Sequence, residues 1–309
     1  MDALSEQRVL VLGGSGFVGT HLCNQLLMAG YKVRSFGRTA STSLHSDIEF
    51  LRGDFSDLEQ IKRALVGQDY VYHLIHGTNP PKVNSDIAGD LIRTIHPTIS
   101  LLDQCAEANV RKVIFVSSGG TVYGDNGMVA SRESDPTIPM NVYGAHKLLI
   151  ENYLRVFSYA KQQDYLILRL SNPYGPLQPV AKGVGLIAAV IDAIKNGRAV
   201  DVYGDGETQR DYIYIGDAAR AMESAIAYEG NHKIFNVGSG EGKSVNEIIS
   251  LVEHAMGVKA KKNPLPGRIF DVRKSILDIS LVRNELDWHP NVDLRDGINL
   301  TVSSLQGSL

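Results

Sequence analysis

Short runs of apolar and β-branched residues alternate with longer amphipathic segments through the first half of the chain. The run Arg8–Leu12 (RVLVL) predicts a buried strand, and positions 16–30, with Val18, Leu22 and Leu26 on one face, predict a helix. The same patterns predict strands at Lys32–Phe36, Tyr70–Ile75, Lys112–Ser117 and Tyr165–Leu170, and helices at Leu58–Val66, at Ile87–Ala108 with an interruption at Pro97, and at about Asn141–Ala160. Such alternation favours right-handed βαβ units and a parallel sheet covered by helices on both faces.

The pattern changes beyond Leu170, where prolines and glycines become frequent and longer loops separate the elements. Loops of this length inside a compact chain tend to be functional. The sequence therefore predicts an α/β fold, a Rossmann-type doubly wound parallel sheet with a smaller C-terminal substrate-binding lobe and a cleft between them. Residues 1–171 are expected to form mainly the sheet domain and 172–309 mainly the lobe, with about 201–237 returning to the sheet.

Composition narrows the classes of function. The chain has 309 residues, is 43% hydrophobic and carries a net charge of -3, so no basic excess draws it to nucleic acid or anionic lipid. No segment approaches the roughly 18 apolar residues of a membrane span, and the first apolar run is too short for a signal peptide. Cys23 and Cys105 belong to no metal or redox motif and are expected to be small buried hydrophobes. We expect a soluble, cytoplasmic protein.

Three glycines lie between the first strand and the first helix. Gly13, Gly16 and Gly19 follow a GxxGxxG spacing. The first allows a tight turn, the second lets the backbone approach a pyrophosphate, and the third lets helix and strand pack closely. The helix N-terminus then offers unpaired N–H groups to the phosphates. This context predicts dinucleotide binding.

The acidic residue that usually holds the adenosine ribose is missing. It is expected about 20 residues further on, at the end of the second strand, but positions 31–46 contain no Asp or Glu. Gly37 stands there, next to Arg38. Either Arg38 holds a 2′-phosphate, which would favour NADP, or it is a solvated charge and the backbone holds the ribose. Asp54 either reaches the adenine amino group or caps the following helix.

Tyr143 and Lys147 form a YxxxK pair at the start of a predicted helix. Positions i and i+4 share one helix face, so the phenol and the ammonium can act together. A phenol that titrates near 10 needs a downward pKa shift of about three units to act as a base at neutral pH. A neighbouring ammonium and a positive nicotinamide would favour that shift. The preceding strand ends in Ser117–Gly124 (SSGGTVYG), at the sheet edge where ligands bind.

Several segments together resemble the extended short-chain dehydrogenase/reductase family, and within it the NAD-dependent epimerase/dehydratase group that is similar to UDP-glucose 4-epimerase. In chain order they are Gly13–Gly19, Ser117–Gly124, Tyr143 with Lys147, Arg169–Gly175, Gly204–Tyr214 and Pro266–Val272. The resemblance covers nearly the whole chain. It implies an NAD(P)-binding domain mainly in residues 1–171, a nucleotide-sugar-binding lobe mainly in 172–309, and an enzyme acting on a nucleotide sugar.

The resemblance also implies roles for individual residues. Tyr143 would be the general base and acid, and Lys147 would hold the nicotinamide ribose and lower the pKa of the phenol. Further cofactor contacts would come from Gly13, Gly16, Phe17, Val18, Gly19, Arg38, Asp54, Phe55, Leu74 and Ser117. On the substrate side, Asn172 would contact the sugar or its phosphate, Arg210 and Arg268 would clamp the diphosphate, and Asp271 would bond the ribose of the nucleotide.

One position departs from the family pattern. Most members carry a catalytic Ser or Thr where this chain has Gly119. We assign that role to Ser118, with Thr121 as the alternative. The 4,6-dehydratases of the family carry an acidic pair where this chain has Gly120 and Thr121, which argues against dehydration.

The predicted reaction is 4-epimerisation of a UDP-hexose. Tyr143 removes the C4 hydroxyl proton while hydride passes to the nicotinamide, the 4-keto sugar rotates, and hydride returns to the other face. Because no net redox occurs, NAD is favoured, with NADP left open. A small residue, Ser275, stands where related epimerases carry a bulky one, which predicts tolerance of N-acetylated sugars such as UDP-GlcNAc and UDP-GalNAc. Arg273 and Lys274 could instead read a uronate carboxylate.

Two rival functions remain open: a nucleotide-sugar reductase or dehydratase, and a nucleotide-binding regulator without turnover, which Gly119 would suit. The histidines form no HxxxH or similar set, so no metal site is predicted, and His146 is expected on the helix face opposite Tyr143. The resemblance implies a homodimer that pairs through about Ile87–Ala108 and Tyr143–Ala160.

Overall fold

The computed structural model describes residues 7–77, 86–125, 127, 129–180, 185–267 and 272–306. The chain forms two compact units, each assembled from separate stretches of sequence. The first unit comprises Met1–Ser118, Asn141–Arg169 and Ala219–Phe235, and the second comprises Gly119–Met140, Leu170–Ala218 and Asn236–Leu309.

Thirteen strands and twelve helical segments are found among the described residues. The strands are β1 Arg8–Leu12, β2 Lys32–Gly37, β3 Glu49–Arg52, β4 Tyr70–His73, β5 Lys112–Ser118, β6 Asp164–Leu170, β7 Asn172–Tyr174, β8 Ala199–Tyr203, β9 Gln209–Tyr214, β10 Ile234–Val237, β11 Gly242–Ser244, β12 Lys261–Leu265 and β13 Lys274–Ser275. The helices are α1 Phe17–Met28, α2 Leu58–Leu65, α3 Ile87–Asp90, a π-helix Leu91–Ile95, α4 His96–Glu107, α5 Gly119–Val122, α6 Val142–Lys161, α7 Leu186–Lys195, α8 Ile215–Ser224, α9 Val245–Met256, α10 Ser280–Leu286 and α11 Leu294–Gln306.

The first unit is built on a seven-stranded sheet in the order β10-β6-β5-β4-β1-β2-β3. β1 pairs in parallel with both β2 and β4, which places the reversal of strand order beside β1. Val9, Leu10, Val11 and Leu12 are all fully buried, as expected for a strand covered on both faces. The predicted Rossmann-type sheet is therefore confirmed. Sequence reasoning missed β3, a four-residue edge strand that is only partly buried.

The helical region 87–107 changes helix type a few residues before the position predicted from the sequence. An interruption was expected at Pro97, but the π-helix Leu91–Ile95 comes first and Pro97 lies in the first turn of α4. Proline has no N–H, so position 97 cannot donate the usual hydrogen bond to a carbonyl in the preceding helical turn. The wider π turn accommodates that missing hydrogen bond.

The second unit has two small sheets. β9 pairs with β11, β13 and β7, and β8 pairs with β12. Its core contains Tyr174, Ile187, Ile191, Ile248 and Ile298. Inside β9, the buried Asp211 carboxylate accepts backbone N–H bonds from Ser239, Gly240 and Leu277, so one side chain connects three segments.

Two stretches show how the units interleave along the chain. Of residues 201–237, which were expected to return to the large sheet, β10 joins that sheet while β9 lies in a sheet of the second unit. Residues 119–140, inside the range expected to be mainly the cofactor domain, group with the second unit. The assignment of cofactor and sugar binding to these ranges stays a prediction.

Both cysteines are free and buried, as the sequence predicted. Burial raises the pKa of Cys23 to about 12 and that of Cys105 above its usual range, so both thiols stay protonated. No helix in the described residues combines the length and the apolar character needed to cross a membrane.

Candidate active site

The glycine loop turns sharply between β1 and α1. Gly13 has a φ of +86°, which a residue with a side chain rarely adopts. A Cβ on Gly19 would lie 2.1 Å from the carbonyl oxygen of Gly13, so helix and loop approach as closely as the sequence predicted. Gly16 caps α1 without any side-chain hydrogen bond, and the buried hydroxyl of Ser15 has no partner in the described structure.

The end of β2 places Gly37 beside the glycine loop and leaves Arg38 at the surface. Gly37 faces the Ser15 hydroxyl, at 3.4 Å from an added Cβ, and Arg38 is exposed. Asp54 accepts hydrogen bonds from the Ser56 N–H and hydroxyl, and these bonds, with the Arg38 charge nearby, hold its pKa below the usual range. The capping alternative for Asp54 is wrong, because Asp57 is the N-cap of α2.

Other predicted cofactor residues lie around the same edge of the sheet. The Leu74 N–H donates to the Leu12 carbonyl, 3.1 Å away, and fixes the loop after β4 beside β1. Phe55 is 8% exposed and packs its ring on His73, 5.1 Å between centroids. The Phe17 ring meets His21 edge to face, and Val18 is half-buried.

Tyr143 and Lys147 lie one turn apart near the start of α6, where Asn141 is the N-cap. The Lys147 Nζ donates to the Val116 carbonyl at 2.8 Å and lies 5.7 Å from the centroid of the Tyr143 ring. Burial lowers the pKa of Lys147 to about 7. The pKa of Tyr143 is raised to about 12, chiefly by burial and to a smaller extent by the negative charge of Asp90.

This result corrects the expected effect of Lys147 on the phenol. The predicted lowering of the Tyr143 pKa does not occur in the protein alone, because burial penalises the phenolate more than a partly neutral Lys147 stabilises it. A lowered value therefore needs further positive charge from a bound ligand.

The Ser117 hydroxyl uses its one proton inside the protein. It donates to the Glu151 carboxylate at 2.5 Å, and that carboxylate also pairs with Arg169 at 2.7 Å. All three side chains are buried. In a cofactor contact the Ser117 hydroxyl could therefore act only as an acceptor, beside any contact made by its backbone. Ser118, at the end of β5, is half-buried.

Sequence reasoning missed a buried cluster next to Tyr143, made of His76, Asp90 and His146. The Asp90 carboxylate lies 2.5 Å from His146 Nδ1 and 3.3 Å from His76 Nε2, and the His76 ring packs on the Tyr143 ring. The expected placement of His146 opposite Tyr143 is wrong, because position i+3 lies on the same helix face. The signal in the sequence was that spacing, together with a second histidine just after β4.

In the second unit, Gly120 faces two predicted sugar-binding residues. A Cβ on Gly120 would lie 3.8 Å from Asn172 Nδ2 and 4.0 Å from Ser275 Oγ. The same Asn172 amide donates to the Asp211 carbonyl at 2.8 Å, which fixes its orientation. The Thr121 Oγ1 is buried and has no hydrogen-bond partner among the described residues.

Asn172 and Arg210 also line one cavity of about 680 Å³ in the second unit, with aromatic side chains from Tyr203 and Tyr212. The Arg210 guanidinium donates to the Val272 carbonyl at 2.7 Å, which anchors it at the cavity wall. Arg273 pairs with Asp205 at 2.9 Å. The predicted Arg268 and Asp271 lie outside the described residues.

Comparison with known proteins identifies the relatives of this chain. Residues 9–238 match the model of the NAD dependent epimerase/dehydratase family. A dTDP-4-dehydro-6-deoxyglucose reductase from Escherichia coli is 32% identical, over 99% of this chain and 99% of its own length.

Solved structures show the same fold over the same length. The UDP-glucose 4-epimerase of Thermotoga maritima with UDP-glucose superposes with a TM-score of 0.92 at 32% identity, covering 98% of this chain and 99% of that one. The Thermus thermophilus UDP-glucose 4-epimerase in complex with NAD has a TM-score of 0.90 at 31% identity, covering 98% and 100%.

Proposed function

Because the chain belongs to the NAD dependent epimerase/dehydratase family, we propose that it is a nucleotide-sugar 4-epimerase that works with bound NAD. The observation that carries this proposal is the placement of Gly120, which faces Asn172 and Ser275. A dehydratase needs an acid there to protonate a leaving hydroxyl. Glycine supplies no acid at this position, which suits a reaction that removes no hydroxyl.

The residues of the first unit fit a dinucleotide. Any side chain on Gly19 would collide with the loop backbone, and the unpaired Ser15 hydroxyl and uncapped first turn of α1 offer donors to a pyrophosphate. NAD is favoured over NADP because the proposed reaction involves no net redox, so the cofactor need not exchange. Bound NAD would supply reversible hydride transfer at C4 of the sugar.

The chain itself supplies the proton chemistry. Tyr143 takes the C4 hydroxyl proton and gives it back after the 4-keto sugar has rotated to present its other face. Lys147 is held by the Val116 carbonyl, so its ammonium can hold a ribose hydroxyl and supply charge beside the phenol. Ser118 or Thr121 bonds the reacting oxygen, and the unpaired Thr121 Oγ1 supports the second assignment.

The proposed sugar specificity rests on the small side chain of Ser275 and on the cations near it. Ser275 leaves space beside Gly120 and Asn172, so an N-acetyl group is accommodated. A uronate would need a cation; Arg273 is paired with Asp205, and Lys274 is the second cation that the sequence offers. The substrate proposed first is a neutral UDP-hexose, UDP-GlcNAc/UDP-GalNAc or UDP-Glc/UDP-Gal, and a UDP-uronate is the alternative.

We also propose that two copies of the chain pair through the helices α4 and α6. Leu91 and Ile92 before α4, and Val156 and Tyr159 on α6, are large apolar side chains exposed to solvent. A cytoplasmic location is in keeping with two buried, free thiols.

The function is tested by incubating the protein and NAD with UDP-glucose, UDP-GlcNAc and UDP-glucuronate, followed by NMR of the products. We expect C4 epimers of the neutral sugars and no net change in reduced-nicotinamide absorbance. Tyr143→Phe should abolish turnover, and Tyr70→Phe, at the start of β4, should not. Stoichiometric consumption of NADPH would instead show a reductase, the activity named for the Escherichia coli relative.

A further inference from the structure

The cluster of His76, Asp90 and His146 is unlike an ordinary packed interior. Asp90 is fully buried, and a buried carboxylate is costly unless it is paired. Its Oδ2 lies 2.5 Å from His146 Nδ1, and its Oδ1 accepts from the Thr94 hydroxyl at 3.1 Å. The cluster stands at the junction of α3 with the π-helix, and such π segments are frequent at functional sites.

His76 lies between Asp90 and Tyr143. Its Nε2 is 3.3 Å from the Asp90 Oδ2, and among the described residues neither ring nitrogen has a hydrogen-bond partner of good geometry. Its ring centroid is 4.6 Å from that of Tyr143, with the planes at 64°. His76 therefore connects Asp90 to Tyr143 through van der Waals contact.

The distances describe a shared proton better than a metal ion. A tetrahedral zinc bound at roughly 2.0–2.2 Å would separate neighbouring donor atoms by about 3.3 Å. The Asp90–His146 separation of 2.5 Å is too short for that and is a short hydrogen bond between a carboxylate oxygen and a ring nitrogen.

We propose that the Asp90–His146 pair is a positioning element for Tyr143, whose one shared proton sets how readily the phenol gives up its own. With its one proton the pair is neutral overall. Without His146 the Asp90 charge is left alone and opposes the phenolate, and without Asp90 this pair places no negative charge near the phenol. Two residues outside the tyrosine–lysine pair thus tune the base. The inference rests on the proposed function, since Tyr143 is a base only in that reaction.

Other charged and titratable groups surround this pair, and none of them duplicates its effect. From the β4 side, His73 and His76 stay neutral because burial lowers the pKa of each to about 3. On α6, Lys147 faces Tyr143, and Glu151 in turn pairs with Arg169. On the exposed side of the α3 junction, Asp86 is paired with Arg93.

The test is the pH dependence of kcat/KM for epimerisation in two variants. Asp90→Asn removes the negative charge, so the acid limb of the profile should move to lower pH by about one unit. His146→Gln removes the proton carrier and leaves the Asp90 charge uncompensated, so the limb should move to higher pH. An exposed histidine–aspartate pair gives the matched control, and His45→Gln and Asp47→Asn should leave the limb in place.

Opposite shifts support the proposal, because a purely structural role would lower activity in both variants without moving the limb in two directions. Shifts in the same direction, or no shift in either variant, overturn it. If Asp90→Asn does not fold, the direction of the His146→Gln shift alone decides the matter.

A second measurement does not depend on turnover. The ultraviolet absorbance of tyrosinate, taken as the difference between each protein and its Tyr143→Phe counterpart, reports the phenol directly. Tyr143 should ionise at lower pH in Asp90→Asn than in the wild type, and an unchanged titration overturns the proposal. If no nucleotide sugar is epimerised but this shift is found, the proposed function fails and the coupling to Tyr143 stands.

Discussion

The Lys147 ammonium nitrogen lies 5.7 Å from the centroid of the Tyr143 ring and donates its hydrogen bond to the Val116 carbonyl instead of to the phenol. The two residues that the sequence pairs are therefore neighbours without being directly bonded. Their pKa values are displaced in opposite directions, Tyr143 to about 12 and Lys147 to about 7, both chiefly by burial. In the protein without ligands, Tyr143 is therefore a neutral phenol.

Lys147 should make the stability of the fold depend on pH. Its pKa is lowered on folding from about 10.5 to about 7, so between these values the unfolded chain binds more protons than the folded one. The free energy of unfolding should therefore rise with pH through this window and be lowest, as far as Lys147 contributes, below pH 7. Lys147→Met should flatten that rise, as measured by urea unfolding at several pH values.

The matched control for this measurement is Lys161→Met, an exposed lysine at the end of the same helix. Its removal should leave the pH slope of the wild type unchanged. An equally steep slope in Lys147→Met would show that the ammonium is not suppressed by burial.

Gly19→Ala should disrupt the phosphate loop. The new Cβ would lie 2.1 Å from the Gly13 oxygen and 2.6 Å from the Gly14 Cα, and both are backbone atoms that must move. We expect a loss of about 1–3 kcal/mol in stability, together with weaker NAD binding by calorimetry. Gly267→Ala is the control, because Gly267 is exposed and the added Cβ would make only an ordinary contact with the Gly204 Cα at 3.7 Å. Equal NAD affinity in the two variants would count against the loop as the phosphate site.

The sequence predicted those parts of the molecule that local pattern determines. β1 was placed at its observed bounds, and α6 was placed within one residue at each end, because burial and helical periodicity leave clear marks. The glycine spacing identified the loop because only glycine fits its turn and its close packing. These features depend on residues near each other along the chain.

Properties that arise from three-dimensional surroundings were not predictable. The direction of the Tyr143 pKa depends on burial and on Asp90, which lies 53 residues earlier. The cluster of His76, Asp90 and His146 combines three separate elements, so no single segment reveals it. The π-helix before Pro97 likewise depends on how the whole helix adapts to one missing hydrogen bond.

Ser275→Tyr should narrow the range of sugars. A phenol ring in place of the hydroxyl near Gly120 and Asn172 would fill the space left for an N-acetyl group. The value of kcat/KM should fall at least about tenfold more for UDP-GlcNAc than for UDP-glucose. Ser303→Tyr, at an exposed position on α11, should change neither value. Equal losses on both sugars would remove Ser275 as a specificity residue.

Glu151→Gln should destabilise the first unit strongly. The carboxylate is 5% exposed, pairs with the buried Arg169 at 2.7 Å and accepts the Ser117 hydroxyl at 2.5 Å, so its neutralisation leaves a guanidinium uncompensated in the interior. We expect a loss of about 3–5 kcal/mol in the free energy of unfolding, measured with urea. The double variant Glu151→Met with Arg169→Met removes both charges and should be more stable than Glu151→Gln. If the double variant is the less stable one, hydrogen bonding by Arg169 and Ser117, and not the isolated charge, determines the stability of this region.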